Sequence, residues 1–587
     1  MTALTHDAVT TAELTPATYE PLLDTVEIAV LAPGTEPAWT LSELPDGLRM
    51  LRVDAAGAPV EIRLSLPLGD AAGYWHPQAG WSRTIVADWE GRSTVSLVDG
   101  FAAGCLYDHS GATLLTFAAT DPVPEVRIRF GVSEEHDTYV VHLRLPASEE
   151  PHRVLFAPRS PSAATALGAL RDRFAAGTRA MPVPEAARLP VYSTWYAFNQ
   201  QVDAASVEQQ AALAADAGCG VLILDDGWQH LGSGRGYAGC GDWTPDTAKF
   251  PDFTAHVARV RDTGLRYLAW IAPLLLGPRA ECYERWATRA PVAATVPGAY
   301  VLDPRLPEVR AHVVDICVTL VRDHGLDGLK LDFLDQAMVY AGDGGGDIGQ
   351  ALTLLLTELR TALEAVRPEL LLELRQPYVG PGMVAFGNML RSVDCPGDAV
   401  ANRVRTIDTA LLAVGGAVHS DPLLWNATAP VEAAARQLVG ALHSVPQISV
   451  RLDRLPPDHL AALRFWLAQW RRLRPQLLDG TVRPGRPDDL YTLVRSEADG
   501  VSVVDVHSER AVPVRPAEFT ETVLVNASDA DRIVLDVEGA EGAGTAVEIV
   551  IHACDGRMIE RSPHTLRPGL RSLPVPRMGL AVVRSIG

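Results

Sequence analysis

Lysine is almost missing. Only Lys249 and Lys330 occur among 51 basic side chains, which leaves 49 arginines. Net positive charge is missing too, since 72 acidic residues give a formal net charge of −21. That balance excludes phosphate-backbone binding as the main task, because nucleic-acid affinity is carried by Lys and Arg. It also excludes attraction to an anionic membrane surface. The seven cysteines are odd in number, irregularly spaced and without a CxxC pair. Reduced thiols in a cytosolic protein are the expectation. There is no HExxH, no paired Cys/His cluster and no EF-hand loop, so no metal and no cofactor is expected. The Gly/Asp-rich stretch 342–349 lacks the GK[ST] of a phosphate loop and reads as a flexible connection. No run of 18 uncharged apolar residues occurs, so no membrane span is expected. The first residues show no basic region followed by an apolar run, which reads as a cytoplasmic protein without a secretory signal.

What is present is an ordinary globular composition, 47% hydrophobic and 21% charged over 587 residues. That length suggests several domains. After a polar tail at 1–17, short apolar or alternating runs at 26–31, 47–53, 60–66, 83–89, 94–98, 113–118, 126–130 and 138–145 are separated by Gly, Pro and Asp turns. Such spacing predicts an N-terminal β-sandwich over 1–185, closed by a linker helix at 164–176. From about 190 apolar runs alternate with amphipathic stretches. Candidate strands are 191–198, 220–225, 265–272, 328–333, 370–375, 389–394, 416–420 and 446–450, with helices such as 207–217, 309–324 and 348–366. Eight strand–helix units in one domain predict a (β/α)8 TIM barrel over 186–480. A doubly wound open sheet is the alternative, but no Gly-rich fingerprint follows any strand. After a helix at 460–477, short β runs return and predict a C-terminal antiparallel β-sandwich over 481–587. No repeat of solenoid length is visible.

In such a barrel the chemistry sits at the C-terminal ends of the strands. Those ends carry Asp225 and Asp226, Lys330 and Asp332, Glu373 and Arg375, Arg391 and Asp394, and His419 to Asp421. Any one of them also reads as a helix cap or a turn. Together they form an acidic rim, which suits hydroxyl-rich ligands because carboxylates accept from sugar O–H groups. Period-two geometry puts Lys330 and Asp332 on one face, with Leu329, Leu331 and Phe333 directed at the helices. A Lys beside an Asp lowers the carboxyl pKa, which suits a nucleophile. A plain buried salt bridge is the alternative. A glycosidase also needs an acid with a raised pKa. Asp394, between Val393 and Cys395-Pro396, is the candidate, with Arg391 and Asp398 able to tune it in either direction.

With these residues placed, the chain resembles the clan D glycoside hydrolases of family 36, the α-galactosidases and their raffinose-synthase-like relatives. The resemblance is carried by Ile223-Leu224-Asp225-Asp226-Gly227-Trp228-Gln229. It continues through Gly241-Asp242-Trp243, Lys249-Phe250-Pro251 and Gly264-Leu265-Arg266-Tyr267 to Trp270 and Pro273. Lys330-Leu331-Asp332 and Ser392-Val393-Asp394, with Arg403 downstream, complete it. It implies a retaining exo-acting α-galactosidase in which Asp332 is the nucleophile and Asp394 the acid/base, with carboxyls about 5–5.5 Å apart. It also implies that Asp225, Asp226 and Lys330 hold sugar hydroxyls and that Trp195, Trp228 and Trp270 shape the pocket. Arg375, Asp398 and Arg403 complete the candidate substrate-binding set. Small oligosaccharides are the implied partners, and a homo-oligomer is the implied assembly. The chain departs from the family at Leu334, at Ala272-Pro273-Leu274 and at Arg375-Gln376-Pro377-Tyr378-Val379-Gly380. The segment His419 to Trp425 is closer to the raffinose-synthase-like side. Galactosyl transfer, another glycone and non-catalytic sugar binding therefore remain alternatives.

Overall fold

The computed structural model describes residues 17–375, 380–539 and 544–586. The polar tail, except for Ala17, and Gln376 to Val379 lie outside the described residues. The N-terminal region is two six-stranded antiparallel sheets packed face to face. Ile62, Leu64, Val141 and Leu143 of one sheet meet Phe117, Val154 and Phe156 of the other. The second sheet is buried on both faces. Val154 and Phe156 enter the sandwich, whereas Leu155 and Ala157 join the main core. The helix Ala163–Gly177 covers that outer side, started by Ser162, whose hydroxyl accepts from the N–H of Thr165.

Double burial explains two strands that the periodicity overlooks, Ala71–Trp75 and Ala103–Asp108. All six residues of the latter are buried, so no polar alternation marks it. The run 83–89 is a correction in the other direction. It is not a strand: Arg83 turns into a buried ion pair, and Asp88 and Trp89 take left-handed φ values of 47° and 43°.

The centre is a barrel of eight parallel strands: β1 Val191–Ser193, β2 Val221–Leu224, β3 Arg266–Ile271, β4 Gly328–Leu331, β5 Leu371–Arg375, β6 Met389–Arg391, β7 Ala417–His419 and β8 Gln447–Ile448. They pair in chain order, with β8 against β1. Bridges from His419 to Val445 and from Leu423 to Ile448 bring the two ends together. Several of the predicted runs stop early, 389–394 at Arg391 and 446–450 at Ile448 among them. The 191–198 run gives way to a helical turn, Trp195–Phe198, and 328–333 ends at Leu331 because Phe333 adopts φ 56°. Gly328 allows β4 to approach β5, since a Cβ there would lie 1.8 Å from the carbonyl oxygen of Leu371.

Two further sheets, of seven and three strands, form the C-terminal region. Two pairs are parallel within this otherwise antiparallel sandwich: Val501–Val506 with Glu521–Asn526, and Ala511–Val514 with Ile533–Val537. The chain crosses to the smaller sheet and back between Val506 and Glu521, so the returning strand runs in the original direction. All three regions meet at Asp408. Its carboxylate accepts from Trp75 Nε1 at 2.8 Å, Arg83 Nη2 at 2.5 Å and the Tyr491 hydroxyl at 2.6 Å.

Candidate active site

The strand ends converge on one cleft of about 70 Å³, whose walls include Trp195, Asp225, Asp226, Trp270, Lys330, Asp332, Arg375 and Asp394. A larger cavity of about 770 Å³ opens near the start of β7. Its acids Asp172 and Asp479 are paired with Arg171 and Arg188, and the strand-end carboxylates are not part of it. The cleft at the strand termini is thus the smaller of the two cavities.

At the cleft floor Lys330 Nζ donates to Asp225 Oδ2 at 2.6 Å, with both side chains 4% exposed. Asp226 is gripped by Gln200 Nε2 at 2.6 Å and Gln229 Nε2 at 2.7 Å. Burial pushes its carboxyl up to about 6; the two glutamines oppose that, and the charges of Asp225 and Asp332 add to it. Asp332 follows β4. Its Oδ1 accepts from Arg375 Nε at 2.6 Å and from the N–H of Phe333, and its Oδ2 from Trp270 Nε1 at 2.9 Å. Burial would raise this carboxyl, but Arg375, Lys330, the Trp270 hydrogen bond and Arg391 outweigh it. Asp332 is held well below the usual carboxylate range. The lowered pKa expected for a nucleophile is therefore present, but Arg375 contributes more than Lys330, whose ion pair goes to Asp225. Phe333 does not face the helices: its left-handed backbone brings the ring to the cleft, 5.1 Å beneath the Arg375 guanidinium.

Asp394 differs from the sequence expectation. Its side chain is 53% exposed to the cleft, and Arg391 Nη2 lies 2.8 Å from Oδ1. The group is open at the mouth yet closely surrounded by protein. That surround would raise its pKa, but Arg391, then Arg375 and Lys330, outweigh it and leave the carboxyl below its ordinary value. The apolar neighbours Val393 and Pro396 do not decide the matter; a guanidinium three residues away does.

Three predicted binding residues lie elsewhere. Trp228 is fully buried, stacks on Phe253 and donates from Nε1 to the Trp270 carbonyl at 2.9 Å. It supports the Trp270 wall from behind. Asp398 caps the helix Ala399–Leu412 by accepting from the N–H groups of Val400 and Ala401. Arg403 turns to the C-terminal sheet and meets the Leu490 carbonyl and His507 Nδ1. Conversely, Tyr237 joins the cleft, with its ring edge-on to Phe333 at 5.0 Å. It sits in a Gly-rich loop with no local signal. Arg391 also lines the cleft, and its spacing of three from Asp394 was the available clue.

Lys249 acquires a physical account. Its ammonium donates to three carbonyls, those of Gln200 at 3.0 Å, Gly227 at 2.6 Å and Gly232 at 2.8 Å. Three donors from one atom match three acceptors around it, and a planar guanidinium cannot reproduce that. The lysine thus staples the loop after β2 to the one after β1, and both loops hold Asp226. Gly227 is part of the same junction: at φ 116° a Cβ would meet Gln200 Cα at 2.5 Å. Lys249→Arg is expected to lower unfolding free energy by about 1.5–3 kcal/mol, the range for hydrogen bonds to a charged group. Urea denaturation of the variant beside the parent checks this; an unchanged midpoint would dismiss the staple.

Among the described residues no group of His, Cys, Asp and Glu is arranged to hold a metal ion. No helix among them is long and apolar enough to cross a membrane.

Comparison with known proteins adds to this geometry. Residues 183–373, from just before β1 into β5, match the family model described as Melibiase. Alpha-galactosidase C of Emericella nidulans is 28% identical over 161 residues, covering 25% of this chain and 22% of that protein. Alpha-galactosidase 2 of Pediococcus pentosaceus is 25% identical over 220 residues, covering 35% and 30%. The matched segment thus spans less than a third of either relative. Among solved structures, the α-galactosidase from Lactobacillus brevis superposes with a TM-score of 0.62 at 15% identity, covering 97% of this chain and 84% of that one. A family 36 α-galactosidase from Geobacillus stearothermophilus, solved with stachyose, gives 0.62 at 15% identity over 97% and 85%. The Thermus thermophilus α-galactosidase, solved with p-nitrophenyl α-D-galactopyranoside, gives 0.58 at 19% identity over 82% and 98%.

Proposed function

From a barrel that carries a Melibiase-family segment within the fold of family 36 α-galactosidases, we propose that this protein is a retaining, exo-acting α-galactosidase of small oligosaccharides. The observation that carries the reading is Asp332: a carboxylate held ionised by Arg375 and Trp270 at the end of β4, in the same cleft as Asp394. Asp332 attacks the anomeric carbon as the glycosidic bond breaks. The leaving oxygen takes the Asp394 proton, and a glycosyl ester forms. Asp394, now a carboxylate, removes a proton from water as that water attacks the anomeric carbon, and the bond to Asp332 breaks to restore its carboxylate. In this reading Asp225, Asp226 and Lys330 hold sugar hydroxyls, with Trp195 and Trp270, which line the same cleft, against the C–H faces.

Release of p-nitrophenol from a panel of aryl α-glycosides tests the reading. The α-galactoside is expected to be cleaved first, with the α-anomer of galactose as first product by NMR. Cleavage of another glycoside but not this one removes the galactose assignment, and a β-anomer removes retention. The free-enzyme pH profile follows from Asp394. Because its pKa lies below the ordinary value, the protonated acid form is lost early as pH rises, so kcat/KM is expected to be highest on the acid side. An alkaline optimum in kcat/KM contradicts this assignment of the acid. Asp394 is open enough to activate a sugar hydroxyl instead of water. Product analysis with a galactosyl donor and sucrose separates transfer from hydrolysis.

A further inference from the structure

Asp394 lies in the short segment between β6 and the helix Ala399–Leu412. One buried carboxylate just past the next strand holds that segment on both sides of it. Asp421, fully buried just after β7, accepts from Arg391 Nη1 at 2.5 Å on Oδ1 and from the N–H of Cys395 at 2.8 Å on Oδ2. Its own N–H donates to Ser392 Oγ at 2.8 Å and Asn402 Oδ1 at 3.0 Å. The hydroxyl of Tyr196, next to the cleft residue Trp195, donates to Oδ2 at 3.0 Å. Residues 391, 392 and 395 are therefore all tied to Asp421, and Asp394 sits between them.

We propose that Asp421 is a positioning residue for the acid/base: it fixes the Asp394 segment from both sides and shares the Arg391 charge with it. The inference deepens the glycosidase reading and rests on it for its kinetic arm. Arg391 bridges the two carboxylates, with Asp394 on Nη2 and Asp421 on Nη1. If Asp421 carries no charge, the whole guanidinium charge bears on Asp394 and keeps it ionised, the wrong state for an acid. If Asp421 is ionised, Arg391 is partly neutralised from behind, and Asp394 takes a proton more readily. The other groups around the pair are Tyr196 after β1, Lys330 and Asp332 at β4, and Glu373 and Arg375 on β5. Cys395, Asp398 and Arg405 lie on the segment and the following helix. Burial pushes the Asp421 carboxyl up, but Arg391, the N–H of Cys395 and the Tyr196 hydroxyl all donate to it and favour its anion.

The test uses the full chain with Asp421→Asn and the milder Tyr196→Phe. In Asp421→Asn the basic limb of kcat/KM for an aryl α-galactoside is expected to move to lower pH by about one unit, because a charge that favoured the protonated acid is gone. Tyr196→Phe weakens the Asp421 anion without removing it, so its limb is expected to move the same way by less. A purely structural role would lower stability and leave the limb in place. The Asp394 carboxyl is also followed by 13C NMR, assigned from the signal lost in Asp394→Asn. That titration reads the proposal even if no galactoside is cleaved, which would sink the functional reading alone. A lower Asp394 midpoint in the variants supports the inference. Midpoints within roughly 0.2 unit of the parent, or displaced upward, overturn it. If Asp421→Asn does not fold, Tyr196→Phe decides by the same criterion.

Discussion

Asp332→Gly is expected to lower turnover of an aryl α-galactoside by roughly 10⁴-fold or more, the scale of losing one member of a catalytic unit. Azide should restore part of it. The parent carboxylate sits 2.6 Å from Arg375 Nε and 2.9 Å from Trp270 Nε1, both of which survive the substitution. They leave a small cationic space where an anion can stand in for the side chain. With an activated leaving group, azide attacks the anomeric carbon directly, so one displacement replaces two and the product is the β-galactosyl azide. NMR of that product checks the role independently of the rate. An α-configured azide, or a variant as active as the parent, would falsify Asp332 as nucleophile.

Asp408→Ala is expected to cost about 3–5 kcal/mol of stability, the range for removing one partner of a buried ion pair. Arg83 and Asp408 have side chains 2% and 4% exposed, so no water can take over the lost bonds. The deletion strands a guanidinium, and it also removes the acceptor of the Trp75 indole and the Tyr491 hydroxyl. Because these donors come from the N-terminal sandwich and the C-terminal region, the effect should reach beyond the barrel. Calorimetry of the parent and variant is the check. A loss of less than about 1 kcal/mol, the scale of a surface pair, would mean that the junction is held by apolar contacts alone. The paired variant Arg83→Met with Asp408→Leu should recover much of the loss, since no unpaired charge remains.

The order of elements was legible where burial leaves a pattern. The three-region layout and all eight barrel strands follow from runs of apolar residues at regular spacing. The helix Ile348–Val366 and the strands Val501–Val506 and Thr138–Leu145 end where the pattern ends. Strands buried on both faces, such as Ala103–Asp108, carry no alternation and were missed. Within the site, Asp225, Asp226, Lys330, Asp332 and Asp394 were readable because motifs and strand ends name them. Trp228, Asp398 and Arg403 share the same motifs yet serve the wall behind Trp270, a helix start and the C-terminal interface. A motif marks a segment, and it does not say which side of the segment faces the cleft.

The scarcity of lysine shows the division most clearly. Sequence by itself determined that only two sites keep an ammonium and that both fall in motif-like stretches. It also determined the excess of acid and the strand ends on which that acid collects. Tertiary structure decided what each ammonium does: Lys330 neutralises Asp225 beneath the cleft, and Lys249 ties three loop carbonyls together. It likewise decided the state of Asp394. Local neighbours suggested a neutral acid, but the field at that carboxyl is set by Arg391, Arg375 and Lys330 brought in from three strands. Charge interactions act across space over several ångströms. The distances that govern them are fixed only when the barrel closes.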